Sequence, residues 1–109
     1  MESFDNNKLC INVTALSNTA TIYLSGYFSF DAHRAFKAAY INHLEDAKIG
    51  NIVINLSGVK YLDSSALGML LLLRDHVMAA SKSLILSSPS SIAARTFDMA
   101  GFHKMFTIN

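Results

Sequence analysis

The sequence predicts an α/β protein, a mixed β-sheet of about five strands with three helices packed on it, in the order β-β-α-β-α-β-α-β. Two strand-like segments near the N-terminus follow each other across a short turn, which is typical of an antiparallel hairpin. Three later strand-like segments are each preceded by a helical one, the arrangement of parallel strands joined by right-handed crossovers. With 109 residues and 51% hydrophobic content, we expect a flexible N-terminus over residues 1–8 and a single domain over 9–109.

The hairpin rests on two alternating patterns. Apolar and polar residues alternate over residues 9–14 and again over 20–26, the period-two signature of strands with one buried face. Ser-Asn-Thr at residues 17–19 supplies the turn, and Gly26 ends the second strand. Cys10 falls within the first pattern, where we expect a buried and inert thiol.

An amphipathic helix follows the hairpin. Side chains of Ser29 to Asp31 are suited to capping its N-terminus. Its apolar face repeats at helical spacing and consists of Phe36, Tyr40, Leu44 and Ala47. Gly50 is the expected C-cap. Residues 51–56 are β-branched and mostly apolar, which predicts a strand buried on both faces, and Ser57-Gly58 predicts a turn after it.

The second half continues the alternation of helix and strand. The second helix is predicted over Ser64–Ala80 and is apolar all round from residue 66 to 73, so Leu67 and Leu71 are expected in the core. Residues 83–87 form the fourth strand. Ser88 followed by Pro89 predicts an N-cap and the first position of a third helix. That helix runs to about residue 99, Gly101 ends it, and residues 105–108 form the last strand.

Composition excludes several function classes. The formal net charge is +1, which argues against a nucleic-acid-binding surface, and the longest apolar run is far shorter than the roughly 20 residues of a membrane-spanning helix. No phosphate-binding glycine loop is present. The four histidines lie in no catalytic pattern, and the single cysteine leaves no zinc-ligand set. We therefore expect a cytoplasmic protein that is not an enzyme, has no cofactor or metal, binds no nucleic acid and does not insert into a membrane.

Three polar residues, Asp63-Ser64-Ser65, precede an unusually apolar helix. One of them is expected to be the N-cap, which leaves the others without a capping role. Backbone N–H groups and the helix dipole favour negative charge at such a position, and a phosphoserine carries about −1.5 to −2 charges. The segment therefore suits a hydroxyl whose phosphorylation switches the binding of a partner.

Residues 55–72 resemble the signature of STAS domains, the anti-sigma factor antagonists of bacterial partner-switching systems. The similarity comprises a strand, a Leu-Ser-Gly turn, Asp63-Ser64-Ser65, then Leu-Gly within an apolar helix. It implies that Ser64 is the phosphoacceptor, with Ser65 as the second candidate. It also implies two protein partners, a GHKL-type serine kinase that doubles as anti-sigma factor and a metal-dependent serine phosphatase. The resemblance further implies that the unmodified form binds the kinase and that the phosphorylated form does not.

The resemblance also implies the surroundings of the phosphoacceptor. They consist of Asp63, Ser65, Ala66, Leu67, Ser29 and Asp31. Three positions depart from the common family pattern, with Ala66 in place of glycine and with Asn55 and Ser29 each in place of aspartate. A second reading is open, because STAS-like single domains also serve as unphosphorylated subunits bound to ABC-transporter ATPases. A nucleotide-binding or hydrolytic enzyme is the third and least favoured reading.

Overall fold

A computed structural model of the protein describes residues 8–109, so the flexible N-terminus expected over residues 1–8 lies, apart from Lys8, outside the described residues. The elements are β1 (Leu9–Leu16), β2 (Thr19–Phe28), a 3₁₀ turn (Phe30–Ala32), α1 (His33–Glu45), β3 (Asn51–Leu62), α2 (Ser64–Ala79), β4 (Ser83–Ser87), α3 (Ser91–Ala100), a second 3₁₀ turn (Phe102–Lys104) and β5 (Thr107–Ile108). The predicted fold class and element order are confirmed.

The strands lie side by side in chain order, β1-β2-β3-β4-β5. The β1 and β2 strands are antiparallel, and the other neighbours are parallel. Each right-handed crossover steps across the sheet in the same direction, so all three helices fall on one face. We call this the helix-covered face and the other the open face. Burial on β3 alternates accordingly, since Ile52, Ile54 and Leu56 are fully buried and their neighbours only partly. The prediction of a strand buried on both faces is therefore wrong.

Residues 57–58 do not form the predicted turn, because β3 continues to Leu62 through a register shift against β2. The Asn55 carboxamide oxygen accepts hydrogen bonds from the backbone N–H of Ser57 at 3.0 Å and from its hydroxyl at 2.7 Å. A Cβ atom at Gly58 would lie 2.5 Å from the Cβ of Ser25. Glycine is thus required by the close approach of two strands at a bulge rather than by a turn.

The first helix differs from its prediction at both ends. Ser29 and Asp31 make no side-chain cap, and a 3₁₀ turn in which the Ala32 N–H donates to the Ser29 carbonyl at 2.9 Å leads into α1 instead. The helix ends at Glu45, well before Gly50. Ala47 is exposed in the loop that follows, while Ile49 is buried there. Ala47 falls at helical spacing from Leu44 but lies beyond the helix, and the loop packs onto the core through Ile49 instead.

The third helix begins two residues later than predicted. Ser88 has a left-handed φ of 52° and cannot be the cap. Ser90 is the N-cap instead, since its hydroxyl accepts a hydrogen bond from the Ala93 N–H at 3.3 Å. Gly101 ends the helix with a φ of 71°, as the sequence predicts. The chain then enters the second 3₁₀ turn, which shortens the last strand to Thr107–Ile108.

The apolar α2 helix is not buried all round. Its buried residues are Ala66, Leu70, Leu73 and Val77. Leu67 and Leu71, predicted as core residues, are half-buried at its edge. A helix on one face of a two-layer protein keeps a side towards solvent, and Leu72 is 48% exposed there. Cys10, predicted to be buried, is also exposed because it lies on the open face.

Candidate functional site

The ends of β2 and β3 bring the sequence-predicted site together. Phe28 pairs with Leu62 at the end of the parallel ladder. The backbone N–H of Asp63 donates a hydrogen bond to the Phe28 carbonyl at 3.3 Å. Ser29, the residue after this acceptor, and Ser64, the residue after this donor, therefore start from neighbouring backbone positions.

Asp63 is the N-cap of α2. It is extended, with φ −108° and ψ −178°, and its carboxylate accepts a hydrogen bond from the Ala66 N–H at 3.0 Å. Its carbonyl accepts the N–H of Leu67 at 3.3 Å. Of the three polar residues that open the helix, the capping role thus belongs to the aspartate, and both serine hydroxyls stay outside it.

Ser64 occupies the first position of α2 and is exposed, whereas Ser65 is half-buried. The first N–H groups of a helix have no intrahelical acceptor, and α2 is 16 residues long, enough for a full helix dipole. A phosphate on Ser64 would meet solvent and unpaired backbone donors. The same group on Ser65 would start from a half-buried position.

The other predicted residues contribute unequally. Ala66 is fully buried, so it belongs to the site only through the N–H that Asp63 binds. Leu67 packs against the core with part of its side chain exposed. Ser29 is half-buried, and Asp31 is exposed on the 3₁₀ turn after β2. Asp31 therefore offers a negative charge at the rim of the site.

Two aromatic pairs border the site, and sequence reasoning missed both. The rings of Tyr27 and Tyr61 stack at 5.4 Å and those of Phe30 and His33 at 5.6 Å. Phe30 is 65% exposed and Tyr61 43% exposed. Phe30 could have been noticed, because an aromatic residue stands there within a polar turn, outside any core periodicity. We call these four residues the aromatic rim.

The comparison with known proteins identifies the family. A sequence model of the STAS domain matches residues 11–109. This chain belongs to the STAS domain family. The STAS-domain containing protein PA14_20770 of Pseudomonas aeruginosa, strain UCBPP-PA14, is 37% identical over 89 residues, which cover 82% of this chain and 86% of that protein.

Solved structures share the fold of this STAS domain. An anti-sigma factor antagonist from Mycobacterium paratuberculosis matches with a TM-score of 0.82 and 18% identity, over 95% of this chain and 87% of that one. The anti-sigma factor antagonist SpoIIAA matches in its unphosphorylated form, with a TM-score of 0.77, 20% identity, and 92% and 88% coverage. SpoIIAA of Bacillus in its phosphorylated form matches with a TM-score of 0.71 and 20% identity, over 92% of this chain and 91% of that one. The resemblance read from residues 55–72 is confirmed at the level of family and fold.

One side of α2 in this STAS domain leads away from Ser64 along solvent. Ser64, Gly68 and Leu72 lie four residues apart on it, and all three are exposed. We call these three residues the α2 strip. A Cβ atom at Gly68 would meet nothing within 4 Å. A mid-helix glycine costs about 1 kcal/mol relative to alanine, and no contact within residues 8–109 requires it here.

A shallow cavity of about 250 Å³ lies beside the aromatic rim. Its walls include Tyr27, Ser29 and Asp31. Within residues 8–109, no three His, Cys, Asp or Glu side chains are grouped so that they could hold a metal ion. No helix in the same range has the length and apolar character needed to cross a membrane. The STAS site thus consists of a hydroxyl, a capped helix end and exposed aromatic rings.

Proposed function

We propose that this STAS domain is an anti-sigma factor antagonist switched by phosphorylation of Ser64. The unmodified form binds a GHKL-type serine kinase that is itself the anti-sigma factor, phosphorylation abolishes that binding, and a metal-dependent serine phosphatase reverses it. One observation carries the proposal. The hydroxyl of Ser64 is exposed at the first position of α2, while Asp63 alone fills the capping role.

The position explains why the fold would tolerate the phosphate. The group would add about −1.5 to −2 charges where unpaired N–H groups and the helix dipole favour an anion. Ser64 is exposed, so no core side chain has to move. SpoIIAA has been solved in both unphosphorylated and phosphorylated forms, and this chain resembles both. That likeness supports a modification that leaves the fold intact.

The same charge would act strongly on a docked partner. Two unit charges 4 Å apart interact by roughly 4 kcal/mol at an effective dielectric of 20, less where water screens them. About half of that energy already changes affinity by more than tenfold. A phosphate at the end of the α2 strip is therefore expected to weaken the binding of a partner through its charge.

Exposed apolar groups supply the attractive part of the proposed interface. Leu72 lies along the α2 strip, and Phe30 and Tyr61 stand on the aromatic rim. Aromatic side chains are enriched among the residues that dominate binding energy in protein interfaces. Ser64 begins the α2 strip directly after its N-cap, and we infer that a partner that buries the strip and the aromatic rim also covers its hydroxyl.

Mass spectrometry of protein purified from its native cells, with phosphatases inhibited, tests the modification. We expect phosphate on Ser64 in the wild type and none in the Ser64→Ala variant, with the Ser65→Ala variant as matched control. Loss of phosphate in Ser65→Ala alone would assign the modification to Ser65 instead of Ser64. Absence of phosphate under all growth conditions would contradict the switch.

Affinity capture with the same variants tests the partners. We expect Ser64→Ala to retain a GHKL-type kinase, together with a smaller amount of a metal-dependent serine phosphatase. Capture of an ABC-transporter ATPase instead, equal for wild type and Ser64→Ala, would favour the transporter-subunit reading over the switch.

A further inference from the structure

The β1 strand forms one edge of the sheet and is eight residues long. It pairs with β2 in an unbroken register from Leu9 to Leu16, without a bulge. The opposite edge, β5, has only two residues, and short edge strands are a common protection against unwanted pairing. Within residues 8–109, no other strand pairs with the outer side of β1. The β1 edge therefore offers a longer row of backbone N–H and C=O groups for strand pairing than the β5 edge does.

Alternate residues of β1 direct their backbone groups outward. The Tyr27 N–H donates to the Lys8 carbonyl at 3.0 Å, so the even-numbered residues of the strand are bonded to β2. The odd-numbered residues point their N–H and C=O groups away from the sheet. They are Leu9, Ile11, Val13 and Ala15.

The β1 strand has none of the features that commonly prevent pairing at a sheet edge. Soluble proteins commonly place lysine, proline or a bulge on such strands. Residues 9–30 contain no charged residue and no proline. Two large apolar side chains on β1 are exposed, Val13 by 38% and Leu16 by 79%. A strand of this composition is suited to pairing with another strand.

We propose that β1 pairs antiparallel with β1 of a second copy of this chain, about a two-fold axis at Asn12, so that the two sheets become continuous. This is the one register in which all four outward-directed residues pair among themselves. Leu9 then lies opposite Ala15 and Ile11 opposite Val13, on the helix-covered side. Cys10 lies opposite Thr14, and Asn12 opposite itself, on the open side.

The side chains of the strand favour a second copy as the occupant. In this register Asn12 faces its own copy and residues 9–15 face residues of the same strand. None of residues 9–15 is charged, so the pairing sets no like charges against each other at the axis. Every pair among residues 9–15 joins apolar with apolar or uncharged polar with uncharged polar, except that Cys10 faces a threonine; like pairs of these kinds stabilise sheets. At the two ends of the ladder, Leu16 lies opposite Lys8. A single strand pair is a small interface, and small interfaces belong to weak complexes. We therefore expect a concentration-dependent dimer. This inference uses none of the residues of the proposed phosphorylation switch.

Disulfide trapping tests the register. In the new ladder the Asn12 pair is not hydrogen-bonded, and the Cα atoms of such pairs lie about 4.5 Å apart, within the range that a disulfide spans. The two Cys10 residues would be four positions apart along the strands, roughly 13 Å, beyond that range. We expect the Asn12→Cys variant in a Cys10→Ser background to form a covalent dimer under mild oxidation, while the wild type does not.

A cysteine on the far edge provides the matched control, the Thr107→Cys variant in the same Cys10→Ser background. Thr107 is exposed on β5, so this variant measures collisional crosslinking. Trapping of Asn12→Cys no faster than of Thr107→Cys would overturn the proposal. Faster trapping through the native Cys10 than through Asn12→Cys would overturn the register.

Sedimentation velocity over a concentration series tests the dimer without crosslinking. The Asn12→Lys variant sets two ammonium groups against each other across the axis, and Thr107→Lys adds the same charge on the other edge. Like charges facing each other in an interface disfavour association. We therefore expect the dissociation constant of the Asn12→Lys dimer to rise roughly tenfold or more and that of Thr107→Lys to stay near wild type. Wild-type protein that remains monomeric throughout, or Asn12→Lys that dimerises as the wild type does, would overturn the proposal.

Discussion

The carboxylate of Asp63 accepts a hydrogen bond from the backbone N–H of Ala66 at 3.0 Å. That single bond assigns different roles to the three adjacent polar residues that begin α2. The aspartate stabilises the helix end and the bulge-bearing strand end through its link to Phe28. The hydroxyl of Ser64 is left at the surface with no capping role, available for chemistry that does not disturb the fold.

Two substitutions of Asp63 distinguish the stabilisation by its capping hydrogen bond from the stabilisation by its negative charge. Loss of an N-cap side chain costs typically about 1 kcal/mol, so Asp63→Ala is expected to lower the free energy of unfolding by about that amount. Asp63→Asn keeps an oxygen acceptor and a good capping residue and is expected to lose less than half as much. Urea denaturation of both variants measures the difference. Equal losses would mean that the charge, rather than the hydrogen bond to Ala66, stabilises the helix end.

Two glycines are expected to respond with opposite sign to the same substitution. At Gly58 a Cβ atom would lie 2.5 Å from the Cβ of Ser25 and 3.2 Å from the Leu24 carbonyl oxygen, so Gly58→Ala forces two strands apart, at a cost of roughly 1–3 kcal/mol. At Gly68 the added methyl meets nothing within 4 Å, so Gly68→Ala is expected to stabilise by up to about 1 kcal/mol. Thermal or urea unfolding of the pair checks both signs, and a Gly68→Ala variant less stable than wild type would contradict this account.

Binding measurements on Gly68→Ala extend that test to function. A glycine that costs stability without an internal reason is explained if a partner approaches the helix backbone there. We expect Gly68→Ala to bind the captured partner more weakly although it folds more stably. Asp75→Ala, a substitution at an exposed position further along the same helix, serves as control and is expected to leave binding unchanged.

The fold was predictable because its strand and helix periods are strong, and the errors have local physical causes. The sequence around Gly58 reads as a turn because glycine after serine is typical of one. The actual reason for glycine is the proximity of Ser25, a residue 33 positions earlier in the chain, which no local pattern contains. In the same way, a mostly apolar segment such as residues 51–56 of β3 does not reveal that all crossovers run in one direction and leave one face open.

The site was predictable to the extent that it is local in sequence. Asp63 and Ser64 lie at a helix end that the sequence marks clearly. Phe30 lies in the 3₁₀ turn after β2 and Tyr61 lies on β3, so their position at the same end of the sheet depends on the pairing of Phe28 with Leu62. The local sequence pattern therefore predicted the Ser64 hydroxyl as the candidate group, and it did not predict the exposed side chains of Phe30 and Tyr61.

Burial of Tyr40 is expected to make the free energy of unfolding fall with pH in the alkaline range. It is buried against Phe36, with ring centroids 5.4 Å apart, and burial raises its pKa above the ordinary value of 10.0. As the pH rises past about 10, the tyrosine of the unfolded chain ionises first while the folded one stays protonated, so stability falls. We expect Tyr40→Phe to flatten this fall, measured by urea unfolding between pH 8 and 11. Tyr23→Phe, at an exposed tyrosine, is the control. An unchanged slope in Tyr40→Phe would contradict this role.

Charge at Ser64 is expected to weaken partner binding without unfolding the protein. The Ser64→Asp variant adds one negative charge to an exposed position at a helix N-terminus, where acidic residues are favourable by about 0.3–1 kcal/mol. Its stability should therefore equal or slightly exceed that of the wild type. Its affinity for the captured partner, measured by calorimetry or surface binding, should fall at least about tenfold, because an interface that covers the hydroxyl must bury the new charge.

Two matched variants separate charge from shape in that experiment. Ser64→Asn has nearly the size of aspartate and no charge, so it is expected to bind more tightly than Ser64→Asp. Asp75→Asn removes a charge at an exposed position further along α2 and is expected to leave affinity near wild type. If Ser64→Asn weakens binding as much as Ser64→Asp, the position acts through steric fit, and the electrostatic switch is wrong. If Ser64→Asp binds as tightly as the wild type while Phe30→Ala loses affinity, the partner contacts the aromatic rim without covering Ser64, and phosphorylation there would not control it.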